Sequence, residues 1–169
     1  ELMRATLMEK AFGLFARKGF HGVSMRDFSQ ELEVSTGTVY HYFTNKSELF
    51  AQMIKHLVQG DIQEVLAQVT EVESPQDRIA VVLNHVAIKE AYFHNLLFLL
   101  FDFYRDKREA AVSKPLATTA SFFSDSLKIY REAIEENLGH LDKGTGQMLI
   151  SVIIGTLVQR ILDPTAMSL

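Results

Sequence analysis

Ser35-Thr36-Gly37-Thr38-Val39-Tyr40-His41-Tyr42-Phe43, running into Thr44-Asn45-Lys46-Ser47-Glu48-Leu49, is the stretch on which the fold of this chain turns. A serine just ahead of an apolar-periodic segment is an N-cap signal, because its hydroxyl takes an N–H that the first helical turn leaves without a partner. Ser35 therefore opens a brief helix through about Tyr42. Upstream, Ser24 is a second N-cap, with Asp27 in the capping-box position and Val23 placed to staple onto Phe28. That helix runs to about Leu32, and only Glu33-Val34-Ser35 separates the two. Two short helices across so tight a turn make a helix-turn-helix, and an α-helix has the dimensions to enter the major groove of B-DNA.

Val39 and Phe43, four apart, face the core in this reading, and the other side of the helix carries Gly37, Thr38 and His41. Tyr40 and Tyr42 flank that side, with Thr36 at the N-terminal tip. Gly37 has no side chain and lets the helix come close to a duplex. The hydroxyls of Thr38, Tyr40 and Tyr42 suit phosphate oxygens, and Thr36 and His41 are placed to reach base edges. A lone tyrosine here would more simply pack the small domain; several polar side chains around a glycine favour the surface reading. Before this pair, residues 3–17 form a first helix, with Met8, Ala11, Phe12 and Phe15 at helical spacing and Lys18-Gly19 as its stop.

Together with Gly19-Phe20, Val23-Ser24-Met25-Arg26-Asp27 and Leu32, the stretch 35–49 resembles the recognition helix and fourth-helix start of TetR-family regulators, over roughly residues 5–55. The resemblance implies an all-α chain: an N-terminal helix-turn-helix three-helix domain, residues 1–45, and a C-terminal helical-bundle domain for ligand binding and dimerisation, residues 46–169. It implies that Arg26 and Thr36 contact bases, and that Thr38, Tyr40, Tyr42 and Lys46 hold phosphates. His41 falls where the family varies. Phe28-Ser29 stands in place of the family's aliphatic-alanine pair, a departure expected to bear on packing more than on DNA contact.

Downstream, Asn45 caps a long helix with Glu48 at the capping-box position. Leu49, Phe50, Met53, Ile54, Leu57, Val58, Ile62, Val65, Leu66 and Val69 keep one apolar stripe over residues 46–69. At about 24 residues, or roughly 36 Å, this rod joins the two domains. Gly60 either softens it or fits a crowded contact. Ser74-Pro75 opens a fifth helix, with proline at its favoured first position. That helix is apolar nearly all round and belongs inside a bundle. Asn84 and His85 interrupt it: a core histidine is usually satisfied by a backbone carbonyl, while the sharper reading has both residues orient a ligand.

The segment from Tyr92 to Tyr104 is dense in aromatic residues. Aromatics at helical spacing are mostly core, but Phe98, Phe101 and Tyr104, with Phe123, could line an apolar cavity for a hydrophobic or amphipathic effector, anchored by Asn84, His85 or Tyr104. Residues from about Leu116 to Leu138 form a further helix. The last helix, through Leu162, is too apolar for one side to face water, and Ser151 and Gly155 permit close approach. In the resembling family this region forms a homodimer through the C-terminal helices. Two recognition helices then reach half-sites about 34–36 Å apart on operator DNA.

Composition bounds these readings. Residues 1–50 carry six Lys/Arg and six Asp/Glu, so the net charge of −4 lies entirely in residues 51–169. The case for double-stranded DNA rests on geometry and not on a basic patch. Nothing reads as a β-sheet, and the three prolines, at 75, 115 and 164, fall at helix boundaries. Cysteine is absent, so there is no thiolate site. No apolar run has bilayer length, and a cytoplasmic location is expected. No metal, cofactor or catalytic residues are expected: His85 and His94 are nine apart, and neither a phosphate loop nor a Ser–His–acid set is found. The alternatives are a dimeric DNA-binding protein without small-molecule control and a helical-bundle enzyme.

Overall fold

Ser24 is extended (φ −101°, ψ 163°), and its hydroxyl accepts from the Asp27 N–H while the Asp27 carboxylate accepts from the Ser24 N–H. The capping box read from sequence is therefore closed on both sides, and α2 (Met25–Glu31) starts there. Ser35 caps α3 (Thr36–Tyr42) in the same manner through the Thr38 N–H. Preceding both, α1 (Leu2–Lys18) ends on Gly19, whose φ of 72° is the left-handed conformation of a helix stop. Gly22 is dictated by space, since a Cβ there would lie 2.1 Å from the Lys18 carbonyl oxygen.

The computed structural model describes residues 2–105, 128, 130–133, 135–137 and 143–163. After α3 come α4 (Lys46–Val69), α5 (Pro75–Ile88), α6 (Glu90–Arg105) and α7 (Lys143–Leu162). Residues 128, 130–133 and 135–137 are also helical, and no strand occurs among the described residues. The chain is all-α with an N-terminal helix-turn-helix. None of these helices is long and apolar enough to cross a membrane. The expected helix from about Leu116 lies largely outside the described residues.

Two compact units share the chain, and α4 and α6 each contribute to both. Of the described residues, the first takes 2–58 and 95–105. Its core is aromatic: the Phe50 ring stacks on Phe103 at 4.6 Å, Phe20 meets Phe103 edge-on at 4.7 Å, and Phe15 meets Phe50 edge-on at 5.5 Å. Val39 and Phe43 are buried, as are Phe28, Leu49 and Met53 of the neighbouring helices, so α3 is seated by its inner face. The turn between α2 and α3 places Glu33 at φ 54°, a left-handed position held by a non-glycine residue.

The second unit takes residues 59–94 with the helical residues 128, 130–133 and 135–137 and α7. Ile62, Val65 and Val69 of α4, Val82 and Val86 of α5, and Ile150, Ile153 and Leu157 of α7 are buried in it. Helix α5 is more two-sided than its composition suggests, with Ile88, Ala80 and Asn84 exposed. A Cβ on Gly60 would meet nothing within 4 Å, so no crowded contact among the described residues explains that glycine. On α7, Met148, Val152, Gly155 and Gln159 are exposed along one side.

Candidate nucleic-acid interface

With Val39 and Phe43 anchoring one side of α3, the other side is left open. Thr36, Gly37, Tyr40 and His41 are exposed, and Thr38 and Tyr42 are half-buried. Tyr40, at 51% exposure, has lost the option of being a packing residue. Thr38 Oγ1 lies 2.8 Å from Ser35 Oγ, and the Tyr42 ring meets His41 edge-on at 5.0 Å. A Cβ on Gly37 would only touch Ser35 Oγ at 3.6 Å, so nothing among the described residues demands glycine at this position.

Arg26 is exposed on α2, and Ser29 bridges it to the tip of α3. The buried Ser29 hydroxyl donates to the Arg26 carbonyl at 2.8 Å and lies 3.0 Å from Thr36 Oγ1. The departure from the resembling family's pattern thus touches a candidate base-contacting residue as well as the packing.

Lys46 opens α4, where its ammonium donates to the Phe20 carbonyl at 2.9 Å and lies 4.4 Å from the centre of the Phe20 ring. The Phe20 N–H donates to the Asp102 carboxylate of α6 at 2.8 Å. In a Schellman helix end the second residue past the cap returns its N–H to the helix's own carbonyl; here that N–H goes to a residue 82 positions later. Asp102 was not singled out by sequence reasoning, because nothing local to it signals a partner so distant.

Two acidic caps hold this unit. The hydroxyl and then the N–H of Ser24 keep the Asp27 carboxyl below its usual value. The hydroxyl and N–H of Thr44 do the same for Glu48, which also accepts from Gln52. Asn45 caps the Glu48 N–H as expected, but the Glu48 carboxylate answers Thr44 and not Asn45.

The residues expected around an effector are distributed over both units. Asn84 is exposed, and His85 is buried beside it in sequence. His85 Nε2 is 2.9 Å from Asp61 Oδ1, so a carboxylate of α4 satisfies it in place of a backbone carbonyl. Lys89 donates to the same oxygen at 3.0 Å and to Glu64, and the Tyr130 hydroxyl donates to Asp61 Oδ2 at 2.8 Å. Burial raises the Tyr130 and Tyr92 phenols well above their usual value, and the Asp61 charge adds to it. Burial draws the Lys89 ammonium down, yet the bonds to Glu64 and Asp61 outweigh it and leave the group raised. A signal for Asp61 was present: it sits between Leu57, Val58, Ile62 and Val65 on the apolar stripe of α4. Phe98 and Phe101, in the first unit, are 55% and 59% exposed. Phe123 and the side chain of Tyr104 lie outside the described residues.

Comparison with known proteins points to the same helix-turn-helix segment. Residues 7–53 match the profile of bacterial regulatory proteins of the tetR family. The HTH-type transcriptional regulator BetI of Brucella anthropi is 23% identical over 137 residues, 81% of this chain and 66% of its own length. The first four curated relatives are matched over 24% to 66% of their lengths, so the chain spans less than two thirds of each. Among solved structures, the transcriptional regulator FadR from Bacillus subtilis in complex with stearoyl-CoA superposes with a TM-score of 0.72 at 18% identity, covering 99% of this chain and 91% of that one. A transcriptional regulator from Saccharomonospora viridis in complex with choline gives 0.69 at 15% identity, covering 98% and 88%. At these identities the structures speak for a shared fold.

Proposed function

We propose that this chain, whose residues 7–53 match the bacterial regulatory proteins of the tetR family, is a ligand-responsive repressor of that family that binds operator DNA as a homodimer. The observation that carries this reading is the outer side of α3, where Thr36, Gly37, Tyr40 and His41 are exposed over a fully buried Val39. Arg26 and Thr36 meet base edges, while Thr38, Tyr40 and Tyr42 hold phosphates. Lys46 joins them from its place at that corner, where one of the three ammonium N–H groups is given to the Phe20 carbonyl.

The exposed side of α7, with Met148, Val152, Gly155 and Gln159, is the surface that pairs two copies. Pairing matters because two α3 helices reach successive major grooves only at a separation of about 34–36 Å. The effector is a hydrophobic or amphipathic small molecule held in the body. In support of small-molecule control, solved structures of the same fold carry stearoyl-CoA in one case and choline in another, and the first of these is amphipathic. His85, in its cluster with Asp61, Lys89 and Tyr130, supplies the polar end of such a site. Effector binding shifts α4 and α6, which run unbroken through both units, and spoils the half-site spacing. To take the repressor from 1:99 to 99:1 released, the effector must favour the released state by about 5.5 kcal/mol.

The test uses two α3 variants and duplexes recovered by genomic selection. Tyr40→Phe weakens selected and mixed-sequence duplexes alike, whereas Thr36→Ala mainly relaxes sequence choice. Parent-like binding by both variants refutes the role given to α3.

A further inference from the structure

The buried hydroxyl of Ser29 lies under the tip of α3, and counting protons there fixes what Thr36 offers to the outside. A serine hydroxyl has one hydrogen and two lone pairs. Ser29 is 3% exposed, and its hydrogen goes to the Arg26 carbonyl at 2.8 Å, an oxygen that can only accept. The second contact of the same Oγ, 3.0 Å from Thr36 Oγ1, must then run the other way, with Thr36 donating. Thr36 also has a single hydroxyl hydrogen, and it is now turned inward. Only lone pairs remain on its exposed side. Among base edges in the major groove, adenine N6 and cytosine N4 donate, whereas guanine N7 and O6 and thymine O4 accept.

We propose that Ser29 is a specificity-determining residue: by taking the proton of Thr36 it makes Thr36 a pure acceptor, which reads an amino-bearing base, adenine or cytosine, at one position of each half-site. This rests on the reading of Thr36 as a base-contacting residue. Burial is what makes the arrangement effective, because water cannot reach Ser29 to offer a competing partner. With alanine at position 29 the Thr36 hydroxyl is released to rotate, and it can donate to guanine or thymine as readily as it accepts.

The experiment is selection from a randomised duplex pool by the full chain, for the parent, Ser29→Ala, Thr36→Ala and the double variant. Each is then titrated against duplexes differing only at the selected position and against a mixed-sequence duplex. The parent prefers adenine or cytosine at one half-site position by about fivefold or more, the worth of one hydrogen bond. Ser29→Ala keeps its affinity for the mixed duplex and its cooperative unfolding, but its preference at that position shrinks to about twofold or less. The double variant matches Thr36→Ala, since the effect of Ser29 passes through Thr36. If Thr36→Ala alters no position, Thr36 reads no base, and both the reading and the inference fall. If Thr36→Ala erases the preference at one position while Ser29→Ala retains it, or if that position prefers guanine or thymine, the inference alone is overturned.

Discussion

Asp61 is 4% exposed and accepts from three donors, so its removal strands polar groups that burial has cut off from water. Lys89, with a side chain 28% exposed, can turn to solvent or to Glu64, but His85, 5% exposed, has no such exit. Asp61→Ala is therefore expected to cost about 3 kcal/mol in urea unfolding, and Asp61→Asn clearly less. A loss under about 0.5 kcal/mol for the alanine variant would show that the cluster contributes nothing. The acidic caps make a different forecast. Asp27 and Glu48 are held below their ordinary values of 3.8 and 4.5, so their stabilisation is complete above those values and lost as pH falls through the lower folded ones. Lys89 is raised, so its contribution is complete below its ordinary 10.5 and lost only in stronger alkali. Denaturant unfolding followed against pH should fall below about pH 4, and an Asp27→Asn, Glu48→Gln double variant should fall less steeply. Identical acid limbs would contradict the assignment.

Helix ends were the most legible part of the sequence, because their causes are local. Ser24 with Asp27, Ser35 with Thr38, and Ser74-Pro75 act within three residues of where they stand, and each helix begins where its cap says. The apolar stripe of α4 and the inward Val39 and Phe43 were legible for the same reason. What was not legible is non-local: the gift of the Phe20 N–H to Asp102, and the closure of Asp61 around His85 and Tyr130, join residues far apart in sequence. Glu33 is an intermediate case, a left-handed turn residue whose identity conceals its conformation. Because that conformation costs an L side chain about 1 kcal/mol or more, Glu33→Gly should raise the stability of the helix-turn-helix by up to about that amount, and Glu33→Val should lower it. A destabilised glycine variant would mean that the Glu33 side chain is worth more than the strain. At the end of α6, Asp102→Ala should unprotect the Phe20 amide in hydrogen exchange and weaken duplex binding, with Asp102→Asn, whose carbonyl accepts the same bond, close to the parent. Unchanged exchange at Phe20 in the alanine variant would exclude the contact.

In the proposed mode of action two α3 helices come onto one duplex, and only a pair of copies can supply them. Helix α7 exposes Met148 at 68% and Val152 at 54%, large apolar groups with the exposed Gly155 on the same side to let a second backbone approach. Val152→Arg should therefore lower both the dimer fraction and the affinity for a selected duplex, while leaving α3 untouched. The most direct trial is to weigh the purified chain free and bound, by sedimentation or mass photometry, with duplexes recovered from genomic DNA at low salt. Two copies in solution, and two on each selected duplex with half-sites about one helical turn apart, are expected. A single copy that favours no duplex over any other would contradict the proposed mode of action.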